Sequence, residues 1–170
     1  MIKTIIILIF FILATSSNSY SAGSSGSSGD SGDSSSIKVK TNYEKAVSHI
    51  KRAKKYEKKE KTKKAQKSYT KALKLLLKSN EKEPLQADTL NYLGFTTRKL
   101  GDYKKGEEFY LQGLQIEPNH NGINEYLGEL YIVTNRMDLA KERLNVLKSC
   151  DCKEYKQLKE IIEGTKKSKY

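Results

Sequence analysis

Cys150 and Cys152 are the residues of this chain whose type and spacing could carry chemistry. A single residue separates the two thiols, so the backbone alone keeps them close together. Such a pair can form a structural disulfide that closes a turn, act as a redox-active dithiol, bind a soft metal such as copper(I), or remain as two free thiols. It is a weak zinc site, because structural zinc takes four ligands. In an oxidising compartment we expect a disulfide between them.

Other residues that could support catalysis are scattered. The two histidines, His49 and His120, lie far apart, and no HExxH, GxSxG or phosphate-binding glycine motif occurs. These motifs place a metal, a nucleophile or a phosphate against fixed partners. The sequence therefore predicts a protein that is not an enzyme and that has no cofactor and no metal site.

The N-terminal segment has the pattern of a targeting sequence. Lys3 precedes an apolar run over residues 5–13, which small residues follow. The run is shorter than the roughly 20 apolar residues of a membrane-spanning helix, and its order is that of a secretory signal peptide. We expect a signal peptide over residues 1–16 cleaved after Ser16, with Ser19 and Ala22 as alternative sites and an uncleaved anchor as the alternative interpretation.

Residues 17–36 are almost entirely Ser, Gly and Asp, and they are predicted to be a disordered linker. The remaining residues, 37–170, suit one small domain. Its charge is uneven: residues 38–78 contain 16 basic and 3 acidic residues, whereas residues 79–170 contain 15 of each. The first part of the domain is therefore a basic block, which either attracts anionic surfaces or serves as a solvated face.

The elements that must hold the cysteines repeat along the chain. At an offset of 34 residues, Leu93-Gly94 aligns with Leu127-Gly128, and an earlier segment carries Ala and Tyr residues in the same slots. Three positions in each repeat hold small residues, with one exception in nine. They are Ala53, Ala65 and Ala72; Gly94, Gly106 and Gly113; and Gly128, Ala140 and Leu147. The apolar residues around them keep helical spacing, so these small residues are predicted to lie within helices.

In its period and small residues the sequence resembles the tetratricopeptide repeat (TPR) family. The resemblance implies an all-α fold, a helical-hairpin solenoid of about three TPR units over residues 46–79, 87–120 and 121–154. A 7-residue spacer between the first two units indicates a lengthened second helix. Residues 155–164 carry an apolar stripe and are expected to form a capping helix over the last unit.

Residues 85–163 resemble, more narrowly, small exported bacterial TPR proteins that end in two cysteines, Glu-Tyr and a Leu-Lys helix. This second resemblance implies the periplasm, within the bacterial cell envelope. The cysteines of that group usually lie farther apart than Cys150 and Cys152.

TPR arrays bind partners on the concave surface formed by the first helix of each repeat. Transferring those positions predicts an aromatic centre with basic residues on one side and acidic residues on the other. The predicted partner-binding residues are Lys54, Tyr92, Phe95, Arg98, Lys99, Glu125, Tyr126 and Glu129. The slots of the family's two-carboxylate clamp retain only a lysine, so an acidic C-terminal peptide is not the expected ligand.

The leading hypothesis is thus a non-catalytic adaptor or scaffold that binds a protein, peptide or partner helix in the cell envelope. The alternative is an electrostatic binder that holds an anionic envelope surface or lipid through its Lys-rich first repeat. Nucleic acid is not expected as a partner, since Tyr56 and Tyr69 occupy core slots and export separates the chain from it. Three repeats and a cap can fold alone, so we expect a monomer.

Overall fold

The computed structural model describes residues 40–168, and within this span every regular element is an α-helix. The predicted signal peptide, residues 1–16, and the predicted linker, residues 17–36, both lie outside the described residues. The helices are α1 (Asn42–Glu57), α2 (Thr62–Lys82), α3 (Ala87–Lys99), α4 (Tyr103–Ile116), α5 (Asn121–Val133), α6 (Met137–Leu147) and α7 (Lys153–Ile162). The predicted all-α fold is confirmed.

Six of the helices form three consecutive hairpins, α1/α2, α3/α4 and α5/α6. Each hairpin packs on the next, through α2 against α3 and α4 against α5. The last helix, α7, packs on α5 and α6, where the first helix of a further hairpin would otherwise lie. The predicted helical solenoid with a covering helix is therefore confirmed.

Local sequence determines where the helices begin and end. Thr41 and Glu44 form a capping box, in which Thr41 Oγ1 accepts a hydrogen bond from Glu44 N and Glu44 Oε2 accepts one from Thr41 N. After α3, Gly101 adopts a φ of 101°, and Asp102 then caps α4 by accepting from Lys105 N. Asn135 has a φ of 59° in the turn between α5 and α6.

The second helix is longer than its counterparts. α2 has 21 residues, against 14 for α4 and 11 for α6. Extra residues in the spacer continue this helix to Lys82, so the lengthened helix expected from the sequence is present. Among residues 40–168, no helix is both long and apolar enough to cross a membrane.

Close helix contacts are made at the small residues. A Cβ atom added to Gly94 would lie 2.5 Å from the ring of Tyr110, and one added to Gly106 would lie 3.1 Å from the carbonyl oxygen of Gly94. A Cβ at Gly128 would lie 2.6 Å from Leu158 of the covering helix. These distances leave no room for a side chain, which explains why glycine is retained in helices despite costing roughly 1 kcal/mol relative to alanine.

Apolar side chains fill the interior in two groups. One lies around α1, α2 and α3, and includes Ile50, Tyr69, Leu76 and Phe95. The other lies around α4, α5 and α6, and includes Tyr110, Ile123 and Leu127. Half-buried Tyr126 packs against both groups, so this side chain connects the two parts of the core.

Replacing Gly94 with alanine is expected to lower the free energy of unfolding by about 1–3 kcal/mol, because the added methyl group overpacks the contact with Tyr110. Urea denaturation measures this change. The control is Gln112→Ala on the exposed face of α4, which adds no atom to a close contact. The control should stay within about 0.5 kcal/mol of the parent chain. Equal losses in both variants would contradict a specific close contact at Gly94.

Candidate functional site

The predicted aromatic centre is assembled around Phe95 of α3. The Phe95 ring centroid lies 5.0 Å from that of Tyr126 and 5.8 Å from that of Tyr69, the latter in an edge-on arrangement. Such pairings suit the charge distribution of aromatic rings. Because Tyr69 comes from α2 and Tyr126 from α5, the three rings join all three hairpins at one place.

Lys54 of α1 reaches this centre. Its Nζ lies 4.4 Å from the Phe95 ring centroid and donates a hydrogen bond to Tyr126 Oη over 3.3 Å. An ammonium group over an aromatic face is attracted to the ring electrons. Burial, followed by the charge of Glu125, raises the pKa of Tyr126 well above its usual range, so the hydroxyl stays protonated beside this lysine.

Lys99 lies near the same rings and is held by an acidic group. It forms an ion pair with Glu57 of α1, and Glu57 also accepts a hydrogen bond of 2.9 Å from Tyr69 Oη. Burial and the hydrogen bond to Glu57 raise the pKa of Tyr69. A carboxylate thus links two hairpins through one basic and one phenolic partner.

A second group of charges is enclosed between α3 and α5. The Arg98 and Glu129 side chains are both 0% exposed, and Arg98 Nη2 lies 3.6 Å from Glu129 Oε2. Arg98 Nη1 also donates to the backbone oxygen of Tyr126 over 2.7 Å. Glu125 is buried too, and both glutamates act electrostatically on Tyr110, whose pKa is raised chiefly by burial.

The eight predicted partner-binding residues are therefore brought together but divided into two classes. Phe95, Arg98, Glu125 and Glu129 are buried, so the open row of acidic residues that we expected on one side of the groove is not present. Packing of α5 against α3 encloses the carboxylates with the Arg98 guanidinium. Lys54, Tyr92, Lys99 and Tyr126 are only partly buried. That any of the eight touches a partner stays a prediction.

Tyr92 lies at the side of this arrangement. Its ring centroid is 5.9 Å from that of Tyr43 in α1, and burial raises its pKa, followed by the effect of Asp88. Tyr92 thus packs between first helices while keeping part of its surface exposed.

A cleft opens beside the aromatic centre, between the first hairpin and α3, with a volume of about 690 Å³. Phe95, Tyr69 and Ala65 contribute apolar surface, and Lys54, Lys58, Lys99 and Glu57 contribute charge. Thr62 and Gln66 of α2 complete the wall. The sequence analysis missed these α2 residues, because it considered only the first helix of each repeat. The exposed polar residues at the start of α2 were the available signal.

Cys150 and Cys152 are joined by a disulfide in the segment between α6 and α7. The bond follows the last repeat directly, since α6 ends at Leu147 and α7 begins at Lys153. Within residues 40–168, no group of three or more His, Cys, Asp or Glu side chains could hold a metal ion.

The stacked hairpins with close contacts at small residues define a helical-repeat fold, and the cleft lies between the first hairpin and α3. A family model described as "Tetratricopeptide repeat" matches residues 87–120, the second hairpin. Residues 87–120 therefore carry a tetratricopeptide repeat.

Other similarities are partial. A stretch of 50 residues is 44% identical to the Sol locus transcriptional repressor of Clostridium acetobutylicum, and it covers 29% of this chain and 16% of that protein. The Arabidopsis OM64 TPR domain superposes with a TM-score of 0.46 and 16% identity, over 74% of this chain and 99% of that one. The CopN-Scc3 complex contains a chain that superposes with a TM-score of 0.49 and 17% identity, over 78% and 79% of the two chains.

Replacing Arg98 with methionine is expected to lower the free energy of unfolding by about 3–5 kcal/mol, because buried Glu129 would lose its cation. Thermal or denaturant unfolding measures the loss. The double variant Arg98→Met/Glu129→Leu should recover part of it, as a coupled pair requires.

The matched control is Arg136→Met, which breaks the forked but partly exposed pair between Arg136 and Glu107. It should cost about 1 kcal/mol. A loss at Arg98 no larger than the loss at Arg136 would contradict the importance of the buried charges.

Proposed function

We propose that this protein is a non-catalytic TPR scaffold for protein–protein interaction, which binds a peptide or a partner helix. The observation that carries the proposal is the cleft of about 690 Å³ beside the aromatic centre. Its volume is in the range of sites that enclose a compact ligand group, and its lining is mainly apolar with a few polar groups at fixed positions. A partner can insert one side chain there while the rest of its chain follows the surface.

The chemistry of the cleft narrows the kind of segment that fits. Phe95 and Tyr69 provide ring surface, which favours an apolar or aromatic side chain on the partner. Three lysines, Lys54, Lys58 and Lys99, and two glutamates, Glu57 and Glu60, line the rim. Because Lys99 and Glu57 form an ion pair, the rim keeps one net positive charge, on the side of Lys54 and Lys58. A segment with an apolar side chain next to an acidic one would match both features.

The buried members of the predicted site have a supporting role in this proposal. Phe95 forms the back of the cleft, and Arg98 binds the backbone of Tyr126, which holds the tyrosine that accepts from Lys54. Binding would then depend on Lys54, Lys58 and Lys99 directly, and on the enclosed charges through the placement of α5 against α3.

We propose that this interaction occurs in the bacterial cell envelope, in the periplasm, and that the protein is a monomer there. The sequence of residues 1–16 supports this placement, because it has the order of a secretory signal peptide. The disulfide between Cys150 and Cys152 is also compatible with an oxidising compartment.

A photo-crosslinking amino acid at Thr62, in the exposed wall of the cleft, is expected to capture a defined partner in the native cells. Adding Gln66→Trp should abolish the capture, since an indole at this wall position fills the cleft. The matched control is Gln112→Trp on the exposed face of α4, which should leave the crosslink intact. Mass spectrometry identifies the captured protein. A crosslink that survives Gln66→Trp would rule out the cleft as the binding site.

Cell fractionation tests the placement. The chain is expected in the periplasmic fraction, with a new N-terminus after Ser16, Ser19 or Ala22 when its terminal peptide is sequenced. A chain that starts at Met1 and stays with the membranes would contradict cleavage, and one found only in the cytoplasm would contradict export.

A further inference from the structure

One exposed face of the first hairpin is strongly basic, and it is separate from the cleft. Lysines recur along α2 at intervals of three or four residues, which places them on a single stripe of a helix. The buried residues of the helix, such as Ala65, Ala72 and Leu76, lie on the opposite side. The stripe consists of Lys67, Lys71, Lys74 and Lys78, all of them exposed.

No acidic residue balances this stripe. Residues 62–80 contain no Asp or Glu, and none of the four lysines forms an ion pair with a carboxylate among residues 40–168. Most other exposed helices of the domain mix the two signs, as α7 does with Lys159 and Glu163. A face of one sign produces a positive potential over its whole length.

The first helix continues the positive region at a shallow recess. His49 of α1 lines this recess of about 190 Å³ together with Leu75 and three of the stripe lysines, Lys71, Lys74 and Lys78. Its Nδ1 atom is buried and has no hydrogen-bond partner among the described residues. Burial lowers the pKa of His49, and the neighbouring charges of Arg52 and Lys71 lower it further. Both helices therefore contribute positive charge around this histidine.

An apolar residue accompanies the lysines. Leu77 is 48% exposed on α2 and lies three residues from Lys74, at one edge of the stripe. Leu75 is partly exposed in the recess, at the other edge. A soluble polyanion would gain nothing from such residues. A lipid surface offers phosphates to the lysines and an apolar boundary to the leucine, which is the combination that interfacial helices exploit.

We infer that this face, defined by the four stripe lysines, Arg52 and Leu77, docks on a bilayer that contains anionic phospholipids. α2 has 21 residues and therefore extends over about 31 Å, so its lysines can meet a flat surface at several points at once. No exposed aromatic ring lies on the stripe, as binding of single-stranded nucleic acid would require. The four lysines line no part of the cleft, so lipid and a protein partner can be bound together.

Vesicle flotation of the full chain tests the inference. The parent chain should bind phosphatidylcholine vesicles that contain phosphatidylglycerol more strongly than pure phosphatidylcholine vesicles, and salt should weaken the difference, since screening shortens from about 10 Å at 0.1 M to about 3 Å at 1 M. Replacing the four stripe lysines with glutamine should reduce partitioning to the anionic vesicles by roughly a hundredfold or more.

The matched control changes four exposed lysines elsewhere, Lys104, Lys141, Lys148 and Lys167, to glutamine, which alters net charge by the same amount. It should keep most of the binding. Leu77→Ser should weaken binding to anionic vesicles but leave binding to soluble polyphosphate unchanged. Equal losses in the two lysine variants, or binding to polyphosphate without any to anionic vesicles, would overturn the inference.

Lysine labelling gives a readout that does not depend on the N-terminal apolar run. With anionic vesicles present, an amine-reactive reagent should modify the stripe lysines of the full chain more slowly, while Lys104 and Lys141 stay reactive. Zwitterionic vesicles should cause no such protection. Uniform labelling with both kinds of vesicle would show that the face does not touch lipid, and would leave the proposed cleft function unaffected.

Discussion

The rest of this structure depends on how closely its helices approach one another. A Cβ atom at Gly94 would lie 2.5 Å from the Tyr110 ring, and one at Gly106 would lie 3.1 Å from the backbone oxygen of Gly94, so a larger residue at either position would force its neighbour to shift. This spacing lets the aromatic ring pack directly against the backbone of α3 inside the hairpin. The same kind of contact at Gly128 seats the covering helix through Leu158. Each hairpin is thereby fixed against the next, and the groups between them acquire defined positions.

Close spacing also explains why charged residues are tolerated inside. Arg98, Glu125 and Glu129 are enclosed where α3 meets α5, with Tyr110 beneath them. Such burial is costly unless the charges satisfy one another. The guanidinium does this by meeting a carboxylate and a backbone oxygen at once. At the interface between the second and third hairpins, the buried charges of one must therefore face those of the other. Apolar packing alone would not impose this arrangement.

The repeat period and its small residues led to the helices and their pairing through the resemblance to the TPR family, and the apolar stripe of residues 155–164 predicted the covering helix. The meeting of Lys54, Phe95 and Tyr126 was also predictable from their slots. Burial of Glu125 and Glu129 was not, since the sequence shows which face of α5 they occupy but not how far α3 closes over it. The cleft was missed for a related reason: its wall belongs to α2, and its volume depends on the tilt between hairpins.

The unequal charge of the domain has an effect before any contact is made. Residues 38–78 carry an excess of positive charge, whereas residues 79–170 are balanced, so the domain is electrically polar. Its field persists over about 8 Å at physiological ionic strength. An anionic molecule or surface within this range orients the domain so that the first hairpin faces it. The covering helix, at the other end of the array, then faces away from it. Long-range electrostatic forces, rather than shape, thus decide which face of the domain makes the first contact.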